Sequence, residues 1–67
     1  MIRCTMFDDC MVLKGLDVDD KIKILDYCRD FNVKFVETSN LAIHGSYDNL
    51  WRLLFELTLD GHKLLIS

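Results

Sequence analysis

Proline is absent from this 67-residue chain and glycine occurs only three times. With so few breakers and no Pro-, Gly- or Ser-rich stretch, no linker is visible, and residues 1–67 are expected to form one small α+β domain. At this length folding removes only about 60% of the chain's surface from water, so oligomerisation or a bound partner is a common source of added stability. Cysteine is sparse as well: Cys4, Cys10 and Cys28 are odd in number and show no C-x-x-C spacing. That excludes a disulfide framework and gives no support to a zinc site. With Met1 first and no basic-then-apolar leader, the expected location is the reducing cytoplasm. No apolar run approaches the ~20 residues that cross a bilayer, and no lipidation signal is present, so no membrane association is expected.

Positive charge is also short, with 8 Lys and Arg against 11 Asp and Glu, a net charge of −3. A basic stripe for the phosphate backbone is missing, so direct nucleic-acid binding is not expected. Asp8, Asp9, Asp17, Asp19 and Asp20 crowd the first third. They admit a different reading, in which the chain imitates nucleic acid and binds a nucleic-acid-binding protein, though the net charge is mild for that role.

The most informative stretch runs from Ser46 to Gly61. Ser46 suits an N-cap and Gly61 a helix stop. At about 100° per residue, Leu53, Leu57, Leu50, Leu54, Tyr47, Trp51 and Phe55 cover an arc of roughly 200°, about twice the stripe that seats a helix on one sheet. Leu50, Leu54, Leu57 and Tyr47 suffice for seating. Trp51, Phe55 and Leu59 form a surplus at one edge, and aromatics buried at an interface are typical binding anchors; Trp51 is more simply read as a core anchor, while Phe55 and Leu59 are harder to bury within one chain.

Taken in order, Ile2–Phe7 and Cys10–Lys14 are β-prone runs joined by a tight turn at Asp8-Asp9. Phe7 then opposes Cys10 and Cys4 opposes Leu13, which places Ile2, Cys4, Met6, Met11 and Leu13 on one apolar face. Asp17 is expected to cap a helix reaching about Phe31, with Val18, Ile22, Ile24, Leu25, Cys28 and Phe31 buried and Tyr27 at the boundary. Asn32 can take the left-handed conformation that ends it. From Val33 to His44 the apolar pattern selects a hairpin with a three-residue loop, Thr38-Ser39-Asn40, and Asn40 supplying the left-handed residue. Val33, Phe35, Leu41 and Ile43 then share one side, and Lys34, Val36, Ala42 and His44 the other. His62–Ser67 would be a last strand.

The chain therefore reads as a ββα unit used twice, with Ile2 matching Val33 at an offset of about 31 residues, followed by a strand. The expected architecture is a two-layer sandwich, ββαββα(β), with one mainly antiparallel sheet and two helices on one face. The alternative treats residues 8–16 as a loop and gives a ferredoxin-like βαββαβ order.

Candidate chemistry is thin. Asp17-Val18-Asp19-Asp20 lacks the glycine and bidentate glutamate of a calcium loop and is better read as helix capping. Cys10 and His44, both assigned to the sheet face away from the core, are the one pair resembling an activated nucleophile, and that pair lacks an orienting third group. No catalytic residue, cofactor or metal is therefore expected. The outer sheet face is different: Phe7, Val12, Val36 and His44 would form a patch open to a partner unless the last strand folds over it. The reading favoured by these features is a non-enzymatic protein-protein interaction module, a small regulator or inhibitor that self-associates or occludes a larger protein. Its partner-binding residues would be Trp51, Phe55, Leu59, Phe7, Val12, Val36 and His44. A dimeric small-ligand sensor, with a pocket between sheet faces, is the alternative from a second class.

Overall fold

The computed structural model describes residues 1–66, and the expectation for Ser67 lies outside them. The elements are β1 (Ile2–Met6), β2 (Cys10–Lys14), α1 (Val18–Asp30), β3 (Lys34–Glu37), β4 (Leu41–His44), α2 (Tyr47–Leu59) and β5 (Leu64–Ile66). They build one five-stranded sheet of order β3-β4-β2-β1-β5. Three pairings are antiparallel, and β5 joins β1 in parallel. The chain is thus an α+β sandwich with its helices on one face, as the apolar pattern implied.

Local chemistry explains the element boundaries. Asp17 closes a capping box with Asp20, each side chain accepting from the other residue's backbone N–H, and Ser46 Oγ accepts from Asn49 N. These caps satisfy amide groups that the first helical turn leaves unpaired. Asn32 (φ 55) stops α1 and Gly61 (φ 92) follows α2, both in the left-handed region that terminates helices. Both hairpin registers follow the apolar alternation: Cys4 pairs Leu13, and Phe35 pairs Ile43 across a three-residue loop. Asn40 is not the left-handed residue; the loop instead closes by Thr38 N donating to Asn40 O.

Ile2, Cys4, Met11, Leu13, Leu41 and Ile43 from the sheet meet Ile24, Cys28, Leu50, Leu53, Leu54 and Leu57 from the helices to form the core. The expected buried side of α1 needs correction. Val18 is 74% and Ile22 56% exposed, because the helix faces the sheet through Ile24 and Cys28, roughly 100° or more away from them around its axis. That rotation draws Asp20 and Lys21 inward, where each finds a partner: Asp20 Oδ1 lies 2.9 Å from His62 Nδ1, and Lys21 Nζ 3.6 Å from Glu37. Phe35 was expected on the core side of its hairpin. It sits at the sheet edge and remains 44% exposed. Tyr47, expected to seat α2, is also exposed, and Leu53 takes that role.

The ββα repeat is real as architecture. The palindromic sequence β3-β4-β2-β1, with β2 and β4 antiparallel, relates the two units by an approximate twofold axis through the Val12–Ala42 pair. Under it Cys4 matches Phe35, Gly15 matches Gly45, Asp17 matches Ser46, and the buried pair Ile24 and Cys28 matches Leu53 and Leu57. The ferredoxin-like alternative fails at its premise, since Cys10–Lys14 is the middle strand and not a loop. Setting β2 aside, as that alternative does, leaves β3-β4-β1-β5 with β4, β1 and β5 parallel; the alternating ferredoxin-like order appears only when β1 is set aside instead, as β3-β4-β2-β5.

Candidate interaction surfaces

Two apolar surfaces remain after the core is filled, on opposite sides of the sandwich. The first is a ridge along α2. Tyr47, Trp51, Phe55 and Leu59 follow one another at intervals of four, the spacing that lines side chains into a ridge. They begin on the flank of α2 beside Leu54 and drift round to the top of the helix. All four are exposed, Phe55 at 62% and Leu59 at 66%. Tyr47 packs edge-on against Trp51, ring centroids 5.9 Å apart, so the start of the ridge is a preformed aromatic pair.

The second surface is the outer face of the sheet, which no element covers among the described residues, because β5 pairs within the sheet instead of folding across it. Cross-strand partners show its layout. Thr5, Val12, Ala42 and Val36 make a row across four strands. Beside it runs a second row, Cys10–His44–Lys34, and on the other side stand Arg3 and Lys14. All the fixed charges at these positions are cationic, so the face is a band of small apolar residues between basic margins. Val36, Phe7 and Leu65, the last beside Arg3 on β5, are its most exposed large apolar side chains. Val12 is half-buried by its neighbours and His44 is exposed.

The sequence-derived site residues thus divide between surfaces that face apart: Trp51, Phe55 and Leu59 on α2, and Phe7, Val12, Val36 and His44 on or beside the outer sheet face. Cys10 and His44 are direct cross-strand partners. Beyond His44 stands Lys34, a cation where an imidazole-orienting carboxylate would be needed. Among the described residues no group of three His, Cys, Asp or Glu side chains is placed to hold a metal ion. Cys4 and Cys28 are buried, and burial pushes each thiol up to about 11, which makes them core side chains and not nucleophiles.

One cluster had no signal in the sequence. His62, 42 residues from Asp20, bonds it through Nδ1, while its Nε2 is buried with no hydrogen-bond partner among the described residues. Beside this pair the Tyr27 hydroxyl donates to Asp60, Lys23 Nζ lies 3.9 Å from Asp60, and Tyr27 stacks on Phe31. The hydrogen bond to Asp60 holds the neutral phenol and pushes its pKa up to about 12. These groups form polar links along α1, from Asp20 in its first turn to Tyr27 in its second half, to Asp60 and His62 just after α2. Three surface hollows hold about 240, 200 and 300 Å³, at or below the small end of the range for small-molecule sites. No helix among the described residues is long and apolar enough to cross a membrane. Comparison of the chain with protein-family models, curated proteins and solved structures finds no match.

Proposed function

We propose that this chain is a non-enzymatic protein-protein interaction module, a small cytoplasmic regulator or inhibitor that binds through the α2 ridge and acts by occluding its protein partner, by self-association, or by both. The observation that carries this reading is the ridge itself: Tyr47, Trp51, Phe55 and Leu59 stay in water although four leucines of the same helix already anchor it. From their fractional exposures, the four offer on the order of 400 Å², about half of what each side contributes to a standard interface. Three free thiols agree with a reducing compartment. The shallow hollows favour a surface binder over an enzyme or a small-ligand sensor.

The test is association measured on the full chain. Phe55→Asp and Leu59→Asp are expected to weaken self-association or capture of a cellular partner by tenfold or more on the order of a lost anchor, while leaving the circular dichroism spectrum and melting temperature of a folded domain. If neither variant changes the mass measured by light scattering or the captured partner, the reading fails.

A further inference from the structure

We infer that the free edge of β3 is a peptide-binding site, which takes a short, extended, apolar segment of a partner protein in parallel, as β1 takes β5. It is independent of the α2 ridge. The approximate twofold supplies the template. On one side of the axis β1 is paired along both edges: Ile2 faces Leu64, Arg3 faces Leu65 and Cys4 faces Ile66 in parallel register, and Ile2 and Cys4 are fully buried. On the other side β3 has β4 along one edge and no strand along the other among the described residues.

The equivalent positions show what is missing. Val33, which matches Ile2, is half-buried, and Phe35, which matches Cys4, is 44% exposed. On α1 the counterparts of Tyr47 and Trp51, Val18 and Ile22, are exposed as well. An open strand edge whose helix-side residues are left part-exposed is the setting in which an added strand gains main-chain hydrogen bonds and side-chain burial together. Lys34 and Glu37 stand only at the ends of β3, which leaves Phe35 and Val36 to meet the incoming chain.

The β1–β5 register carries over to a sequence preference. The first and third residues of the segment would face Val33 and Phe35 on the helix side and be apolar, like Leu64 and Ile66. The second would lie beside Lys34 on the outer face, so a carboxylate there is favoured.

The probe is a capped hexapeptide with the β5 sequence His-Lys-Leu-Leu-Ile-Ser, and a second with Glu in place of its second Leu, titrated at millimolar concentration into the isotope-labelled full chain and read by amide chemical shifts. Saturable shifts are expected at residues 34–37, about threefold tighter for the Glu peptide, and not at residues 2–4, where the tethered β5 has the higher effective concentration. Phe35→Asp is expected to abolish the shifts. Lys34→Glu, at an exposed position where folding is not at stake, should remove the preference for the Glu peptide, and Phe55→Asp should leave the shifts unchanged. The inference is overturned if residues 34–37 do not respond, if the peptides act only at β1 or on the α2 ridge, or if the same amides shift with protein concentration alone, which would make a second copy the occupant. Loss of the response at residues 34–37 leaves the α2 ridge untouched, and the ridge is tested by its own variants.

Discussion

The two helices are each 13 residues long, each opens on a capped N-terminus after the second strand of its unit, and each packs its equivalent residues against the same sheet. Along the ridge that faces away from the core they part company. In α1 the four positions are Val18, Ile22, Asp26 and Asp30; in α2 the matching positions are Tyr47, Trp51, Phe55 and Leu59. Fold alone does not ask for Phe55 and Leu59, since the same sandwich tolerates aspartate at both counterparts. The contrast is an internal control: an apolar residue in the repeat's core positions reports packing, whereas one on the ridge of α2 is not required by packing and is what the proposed interaction surface rests on.

The most forceful way to break this comparison is to truncate one residue of each kind. Leu57→Ala is expected to destabilise the domain by about 2–5 kcal/mol and Phe55→Ala by less than about 0.5 kcal/mol, as measured by urea denaturation. Comparable losses would mean that the ridge holds the fold. A second measurement exchanges the ridges. The double variant Phe55→Asp/Leu59→Asp should remain folded but lose association by more than tenfold on the order of two lost anchors. The converse, Asp26→Phe/Asp30→Leu, should create association through α1; sedimentation at several concentrations reads both.

Smaller effects sharpen the account of how each helix is held. Removing a cap, by Asp17→Ala or Ser46→Ala, should destabilise by about 1 kcal/mol. Asp17 should matter more, because it is half of a reciprocal box on a helix with only two fully buried residues. Last comes alkaline pH. Cys28 of α1 occupies the core position that Leu57 fills in α2, so only α1 brings an ionisable group to its seat. Burial raises Cys4 and Cys28 to about 11 from an ordinary 9, and the unfolded thiols ionise first. Their contribution is therefore complete below pH 9 and declines as the pH rises toward 11. Denaturation midpoints should fall across that window, and Cys28→Val should reduce the fall; a flat profile would contradict the burial of these thiols. In the folded chain, a thiol reagent should label Cys10 before either of them.

Much of this architecture is legible in the residues. Asp17, Ser46, Asn32 and Gly61 mark the helix ends by chemistry that acts within a few residues, and the hydrophobic alternation selected both hairpin registers, because a one-residue slip would turn every apolar side chain to water. Phe35 lies on the expected side of its hairpin, opposite Ile43, and is left exposed because β3 ends the sheet; Val18 and Ile22 were misplaced for a different reason. Periodicity gives the angles between residues on an element, but α1 has an apolar arc wide enough to be seated in two ways, and the sheet chose the arc centred on Ile24 and Cys28. The Asp20–His62 contact had no local trace at all, since it joins segments that meet only after both crossovers have formed.

The sequence by itself therefore determined the elements, their caps, their pairing within each hairpin and the apolar excess of α2, all products of interactions short in sequence. Tertiary structure decided the rest: that β5 lies parallel beside β1, that the two units face each other across a twofold, and that among the described residues the outer sheet face is left bare and β3 ends the sheet. Those outcomes depend on how distant surfaces compete for one small core, and no stretch of the chain encodes that competition alone.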